Sequence, residues 1–285
     1  MKKIRLVLCD IDGTLVTTGQ PMGEKTKEVI DRLHAHGVLF GIASGRSVHQ
    51  QLSKQAKAWG FDWPFDVLIG MNGSELWDEI EQKRSDYYQL SKETIKEIVE
   101  FMEPFQLNPF MYYHDVMLCL REDENMKRSS KRNLTRIQIA NDISELYSED
   151  NAKIMFRMKD EQMPEVEAYC AAHPSEKYRG FKTQTNLIEF MDPRVNKAIA
   201  MKEFCKRHDI PIEEVWAFGD MSNDKELVDE AGWGVCLLNG ADDTKACADE
   251  ITEKDCDHEG FAWYVEEKIL KPRGWSSKSP IGLFR

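Results

Sequence analysis

The apolar positions along the chain follow two rhythms. Near the start they form short unbroken runs. IRLVLC (4–9), VLFGIA (38–43) and FDVLIG (65–70) each read as a strand buried on both faces. Between the first two runs the spacing is helical. Val29, Ile30 and Leu33 share one side of residues 24–36, and Gly37 is placed to end that helix. Residues 47–58 read the same way, with Val48, Leu52, Gln55, Ala56 and Trp59 on one side and Gly60 closing the segment. Asn72-Gly73, after the third run, is a turn signal. Strand, helix, strand, helix, strand requires parallel pairing with right-handed crossovers. The pattern therefore predicts an α/β fold with a doubly wound, Rossmann-like parallel sheet.

The rhythm changes after residue 82. KETIKEIVEFM (92–102) and MPEVEAYCAAH (163–173) read as helices, and YYHDVMLCL (112–120), AKIMFRM (152–158) and TNLIEFM (185–191) as strands. Charge is denser and polarity alternates more, which suggests an α+β insert covered on one face. The first rhythm then returns. VNKAIAMKEFCKRH (195–208) and DKELVDEA (224–231) are helical, and VWAFGD (215–220) and GVCLL (234–238) are strands. The expected organisation is a core of 1–82 and 190–285 interrupted by an inserted α+β domain at 83–189.

Composition narrows the function classes. Of 285 residues, 41% are hydrophobic, which suits a globular chain. No apolar run approaches the ~20 residues that span a bilayer. The start, MKKIRLVLCD, is basic but has no small-residue cleavage site, so it does not read as a signal peptide. A net charge of −12 argues against nucleic acid or an anionic membrane as a partner. Seven scattered cysteines with no C-x-x-C pair read as reduced thiols of a cytoplasmic protein. The basic cluster at 127–132 reads as a solvated loop of the insert. The oligomeric state is not legible.

The chemistry lies at the strand ends. In open α/β sheets, ligands sit outside the carboxyl ends of the strands. Asp10 and Asp12 follow the first strand, Ser44-Gly45-Arg46 the second, and Asp220 ends VWAFGD, with Asn223 and Asp224 just beyond. Lys197 opens the helix after the insert. Asp10, Asp220 and Asp224 in one cleft would repel each other unless a cation sat among them, and an all-oxygen ligand set suits Mg²⁺. A lysine, a serine hydroxyl and backbone N–H groups aimed at the same place would hold anionic oxygens. Such a site favours phosphoryl transfer, where an aspartate can be the nucleophile and a second acid can move the proton.

These motifs resemble those of the haloacid dehalogenase (HAD) superfamily. D10-I-D12-G-T-L-V is similar to its first motif, S44-G-R to its second, Lys197 to its third and G219-D220-M-S-N223-D224 to its fourth. N72-G-S and the tail pattern V-x-x-x-N-G-A (235–241) extend the likeness toward the Cof-type branch. By position, the resemblance implies Asp10 as nucleophile and metal ligand. Asp12 would be the acid/base, with its carbonyl on the metal. Asp220 would be the remaining metal ligand, supported by Asp224, and Ser44, Gly45, Lys197 and Asn223 would bind phosphate. Asp12 and Ser44 are too close for a cap between them. The insert lies where the family's C2-type cap resides, which would exclude water and read the leaving group. The implied activity is Mg²⁺-dependent hydrolysis of a small phosphomonoester, a sugar phosphate or a cofactor phosphate such as FMN or PLP. Two other readings stay open: a phospho-accepting signalling protein, and a non-catalytic sensor of a phosphorylated ligand.

Overall fold

The protein is described here from a computed structural model covering residues 3–275 apart from 115 and 134, with the backbone alone at 132 and 133. Within these residues the chain divides into two compact units, one of 3–48, 52–85 and 196–275, the other of 49–51 and 86–195.

The first unit opens with the expected alternation: β1 (Leu6–Cys9), α1 (Glu24–Ala35), β2 (Leu39–Ala43), α2 (Gln55–Ala58) and β3 (Val67–Gly70). Every residue of β1 and β3 is buried, as continuous apolar strands require. Val29, Ile30 and Leu33 bury one face of α1, and Gly37, at φ +77°, follows its C-terminus. The helix expected over 47–58 is much shorter. Only 55–58 is α-helical, preceded by a 3₁₀ turn at Leu52–Lys54. Before it the chain closes in wider turns, with Leu52 N–H donating to the Ser47 carbonyl (3.1 Å) and Ser53 N–H to the Val48 carbonyl (2.9 Å), while Glu75 accepts from the Val48 N–H (2.7 Å) and the Ser47 hydroxyl (3.3 Å). Two more strands, β4 (Glu75–Asp78) and β5 (Lys83–Asp86), extend the sheet beyond what the apolar pattern shows.

The second unit runs α3 (Lys92–Phe101), β6 (Asn108–Tyr113), β7 (Val116–Cys119), α4 (Glu124–Asn133), β8 (Arg136–Ile139), β9 (Ile154–Arg157), α5 (Met163–Ala172), β10 (Arg179–Gln184) and β11 (Leu187–Met191). The single strand expected over 112–120 is two antiparallel strands, and position 115 between them lies outside the described residues. The basic cluster expected in a loop lies on α4. Strand order is β10-β11-β9-β6-β7-β8. Ile154, Phe156, Ile188 and Phe190 pack with Ile95 and Ile98 of α3 and Val166 of α5. The alternate positions Met155 and Leu187 pack with Met126 of α4, so both faces carry apolar contacts rather than one. Glu189 ion-pairs with the buried Lys153 at 2.8 Å.

The chain then returns to the first unit as α6 (Lys197–Arg207), β12 (Val215–Gly219), α7 (Lys225–Glu230), β13 (Trp233–Cys236), α8 (Asp242–Cys247), β14 (Glu250–Ile251) and α9 (Gly260–Tyr264). Its sheet has the order β14-β13-β12-β1-β2-β3-β4-β5. The strands from β14 to β3 pair in parallel, and β4 turns antiparallel to β3. The breaks between units fall after residues 85 and 195, later than the expected 82 and 189. Phe190 and Met191 are needed to finish β11 against β10, and the charged β5 completes the first sheet. No helix among the described residues is long and apolar enough to cross a membrane.

Candidate active site

β1 lies between β12 and β2, which aligns three chain exits. Cys9 is in register with Phe218 on one side and Ile42 on the other. One step on, Asp10 donates its N–H to the Phe218 carbonyl at 2.9 Å. Asp220 leaves β12 at the same rim, at the point where the strand order reverses and open α/β sheets bind their ligands. The chain after Asp10 turns tightly: Leu15 and Val16 both donate to the Ile11 carbonyl, and Gly13 donates to Val16. Gly13 has φ +95°, and a Cβ there would lie 2.2 Å from Asp220 Oδ2. Thr14 donates its hydroxyl to Asp220 Oδ1 at 2.9 Å. Asn239 donates to the Gly13 carbonyl at 2.9 Å and accepts from the Cys256 N–H.

Lys197 enters from the first position of α6, a helix capped by the Asn196 side chain, which accepts from Ile199 N–H. Its side chain is fully buried, and Nζ lies 2.5 Å from Asp10 Oδ1 and 2.5 Å from Asp224 Oδ1. Burial alone would lower the lysine pKa, but the two carboxylates raise it, so it stays an ammonium. Burial, with the Asp224 and Asp220 charges, pushes the Asp10 carboxyl well up, partly offset by Lys197. Burial and Asp224 push Asp220 up to about 7, against the Thr14 hydrogen bond.

Asp10, Asp220 and Asp224 each offer a carboxylate oxygen within 4.8 Å of the others, and all three are buried. Three crowded acids with one ammonium leave net negative charge in a poorly solvated place. Oxygen-only donors of this kind fit a hard divalent cation such as Mg²⁺. The three acids are not equally available to one. Asp224 already accepts from Lys197 through Oδ1 and from the N–H groups of Asp220 (3.0 Å) and Met221 (3.1 Å) through Oδ2. That leaves Asp10 and Asp220 as the freer donors, with Asp224 as their support.

The remaining residues expected at the site are held differently. The Asp12 carboxylate is outside this cluster, about one-third exposed, and ion-paired with Arg46 at 2.6 Å. Ser44 is buried, its N–H donated to Ile69 and its hydroxyl accepting weakly from Arg46 N–H at 3.3 Å. Asn223 donates its amide to Asn72 Oδ1 at 3.2 Å. Composition and spacing pointed to neither the Asp12–Arg46 pair nor the Thr14, Asn72 and Asn239 contacts, although each of these residues sits inside a recognised motif.

A family model described as haloacid dehalogenase-like hydrolase matches residues 7–265. The 5-amino-6-(5-phospho-D-ribitylamino)uracil phosphatase YitU of Bacillus subtilis is 25% identical over 266 residues, covering 92% of this chain and 96% of its own. Among solved structures, TM0651 from Thermotoga maritima superposes with a TM-score of 0.81 at 23% identity, covering 92% of this chain and 97% of that one. A haloacid dehalogenase-like hydrolase from Bacteroides thetaiotaomicron gives a TM-score of 0.80 at 22% identity, over 93% of this chain and 99% of that one. At these identities the two structures speak for the fold alone.

Proposed function

The chain belongs to the haloacid dehalogenase-like hydrolases and is a phosphatase of small phosphorylated substrates, and from that premise we propose Mg²⁺-dependent hydrolysis of a phosphomonoester through an aspartyl-phosphate on Asp10. The observation that carries this reading is the buried Lys197 bridging Asp10 and Asp224, beside the acids that would need a cation. Asp10 Oδ attacks phosphorus as the bond to the leaving oxygen breaks, and Asp12 gives that oxygen a proton. Water then attacks the phosphorus and yields a proton to Asp12, and the Asp10–phosphorus bond breaks. Lys197, Ser44, Gly45 and Asn223 hold phosphoryl oxygens through both steps. Asp10, Asp220 and the Asp12 carbonyl would hold Mg²⁺, which when bound would neutralise charge on the phosphoryl group. Arg46 restrains the Asp12 carboxylate between its two proton transfers.

The second unit is proposed as the C2-type cap that selects the leaving group. Sugar phosphates and phosphorylated cofactors are the candidate substrates, and the name of the Bacillus relative adds a phosphorylated aminopyrimidine. The proposed place of action is the cytoplasm, in keeping with an acidic chain and unpaired cysteines.

The test is release of p-nitrophenol from p-nitrophenyl phosphate by the wild type and Asp10→Asn, in Mg²⁺ and in EDTA. Turnover is expected only for the wild type in Mg²⁺. Equal turnover by Asp10→Asn, or turnover indifferent to EDTA, would remove the aspartyl-phosphate or the metal from the account. A panel of phosphorylated metabolites then ranks substrates by kcat/KM.

A further inference from the structure

The Asn72-Gly73-Ser74 turn stands out as a turn signal in the sequence, and its geometry exceeds what a turn needs. Met71, Asn72 and Gly73 are consecutive left-handed residues, with φ of 45°, 54° and 106°. The first two are not glycines, so the backbone here is held against its preference. What holds it are the elements that would bind phosphate. Ser44 N–H donates to Ile69, Met71 N–H to Arg46, and Asn72 N–H to Ser44, at 2.8, 2.9 and 3.0 Å. Gly73 presses on the start of α6, where a Cβ would fall 1.9 Å from the Asn196 carbonyl and 3.1 Å from Lys197 Cα. A Cβ on Gly45 would meet the Asn72 amide at 3.3 Å. Asn72 Oδ1 also accepts from Asn223 Nδ2.

One buried turn therefore touches the loop of Ser44 and Gly45, the helix start of Lys197, and Asn223. We propose that Asn72 is a positioning residue for phosphate, whose carbonyl oxygen fixes which end of the Asn223 amide faces the anion. An amide carries two N–H donors and one oxygen. With one N–H of Asn223 committed to Asn72, the Nδ2 end is held on the Asn72 side and its second N–H stays available for a phosphoryl oxygen. Without that acceptor the amide is free to rotate and present its own oxygen, which repels the anion. The inference rests on the phosphatase reading above and adds to it how Asn223 is oriented.

The experiment is a double-mutant cycle of Asn72→Gly and Asn223→Ala. Glycine accepts the left-handed backbone, so Asn72→Gly removes the amide without adding strain. The readouts are inhibition by inorganic phosphate, KM and kcat for p-nitrophenyl phosphate, and thermal unfolding. Asn223→Ala is expected to weaken phosphate inhibition about tenfold, the scale of one hydrogen bond to a charged group. Asn72→Gly should do nearly the same, through KM more than kcat, and the double mutant should be no worse than Asn223→Ala alone. If Asn223→Ala leaves phosphate inhibition unchanged, Asn223 does not bind phosphate and the inference falls with that part of the proposed function. If Asn223→Ala weakens inhibition while Asn72→Gly does not, or if the two losses multiply, Asn72 does not act through Asn223 and only the inference is overturned.

Discussion

Replacing Lys197 with methionine probes the charge arrangement on which the site depends. The ammonium is fully buried, 2.5 Å from an oxygen of each of Asp10 and Asp224. At an effective dielectric of about 20, each contact is worth roughly 6–7 kcal/mol before desolvation is subtracted. Desolvation cancels much of this, and the cost of stranding one partner of a buried pair is about 3–5 kcal/mol. Methionine fills a similar volume, so the cavity contribution is small. Two carboxylates lose the same cation, which places the expected loss near the upper end, about 4–5 kcal/mol. For a chain of this size that lowers Tm by roughly 8–20 °C. The assay is thermal unfolding by tryptophan fluorescence in EDTA, alongside hydrolysis of p-nitrophenyl phosphate in Mg²⁺. Turnover is expected to fall by about 10²–10³, as for other single electrostatic stabilisers. Adding Asp224→Asn should restore part of the lost Tm, because one stranded charge is then removed. A Lys197→Met protein as heat-stable as the wild type would refute the stabilising role of this cation. Undiminished turnover would take it out of the phosphate site.

Three other outcomes follow from single contacts. Gly13→Ala puts a Cβ 2.2 Å from Asp220 Oδ2, on a left-handed backbone. Turnover of p-nitrophenyl phosphate should drop about a hundredfold by displacement of a reacting-site group, and near-normal turnover would count against the assigned role of Asp220. Asp78 is buried, which raises its carboxyl pKa, but hydrogen bonds from His208, the Glu81 N–H and Arg207 outweigh burial and hold it below the usual range. A depressed folded value contributes stability that is complete above about pH 4 and lost as pH falls through the folded value. Asp78→Asn should therefore lower Tm at pH 7 and flatten the acid limb of the Tm profile; a limb parallel to the wild type's would contradict this. In the second unit, Lys153→Met strands Glu189, whose partner ammonium is 2.8 Å away, and should cost about 3–5 kcal/mol in urea unfolding. Lys153→Met with Glu189→Leu should recover most of it, and a double mutant no more stable than the single would show that stranded charge is not the cause.

The alternation of the first unit and the place of its acids can be read from the apolar pattern alone. A strand buried on both faces must be an unbroken apolar run, and such a run can carry carboxylates only at its end. That is why β1, β2, β3 and β12 were legible, and why Asp10 and Asp220 could be set on one rim. Strands without a single buried residue, β5, β8 and β10, have no such signature and emerged only in the structure. Residues 47–58 carry a helical pattern, yet only 55–58 is α-helical, and the Val48 N–H and Ser47 hydroxyl bond Glu75, which is 27 and 28 residues away. The pairings within the site were also decided by tertiary structure. Lys197 is 187 residues from Asp10, Thr14 is 206 from Asp220, and Asn72 is 151 from Asn223. Periodicity records how often a position meets the core. It does not record which distant group a buried polar atom meets there, because that choice is made by the packing of whole elements.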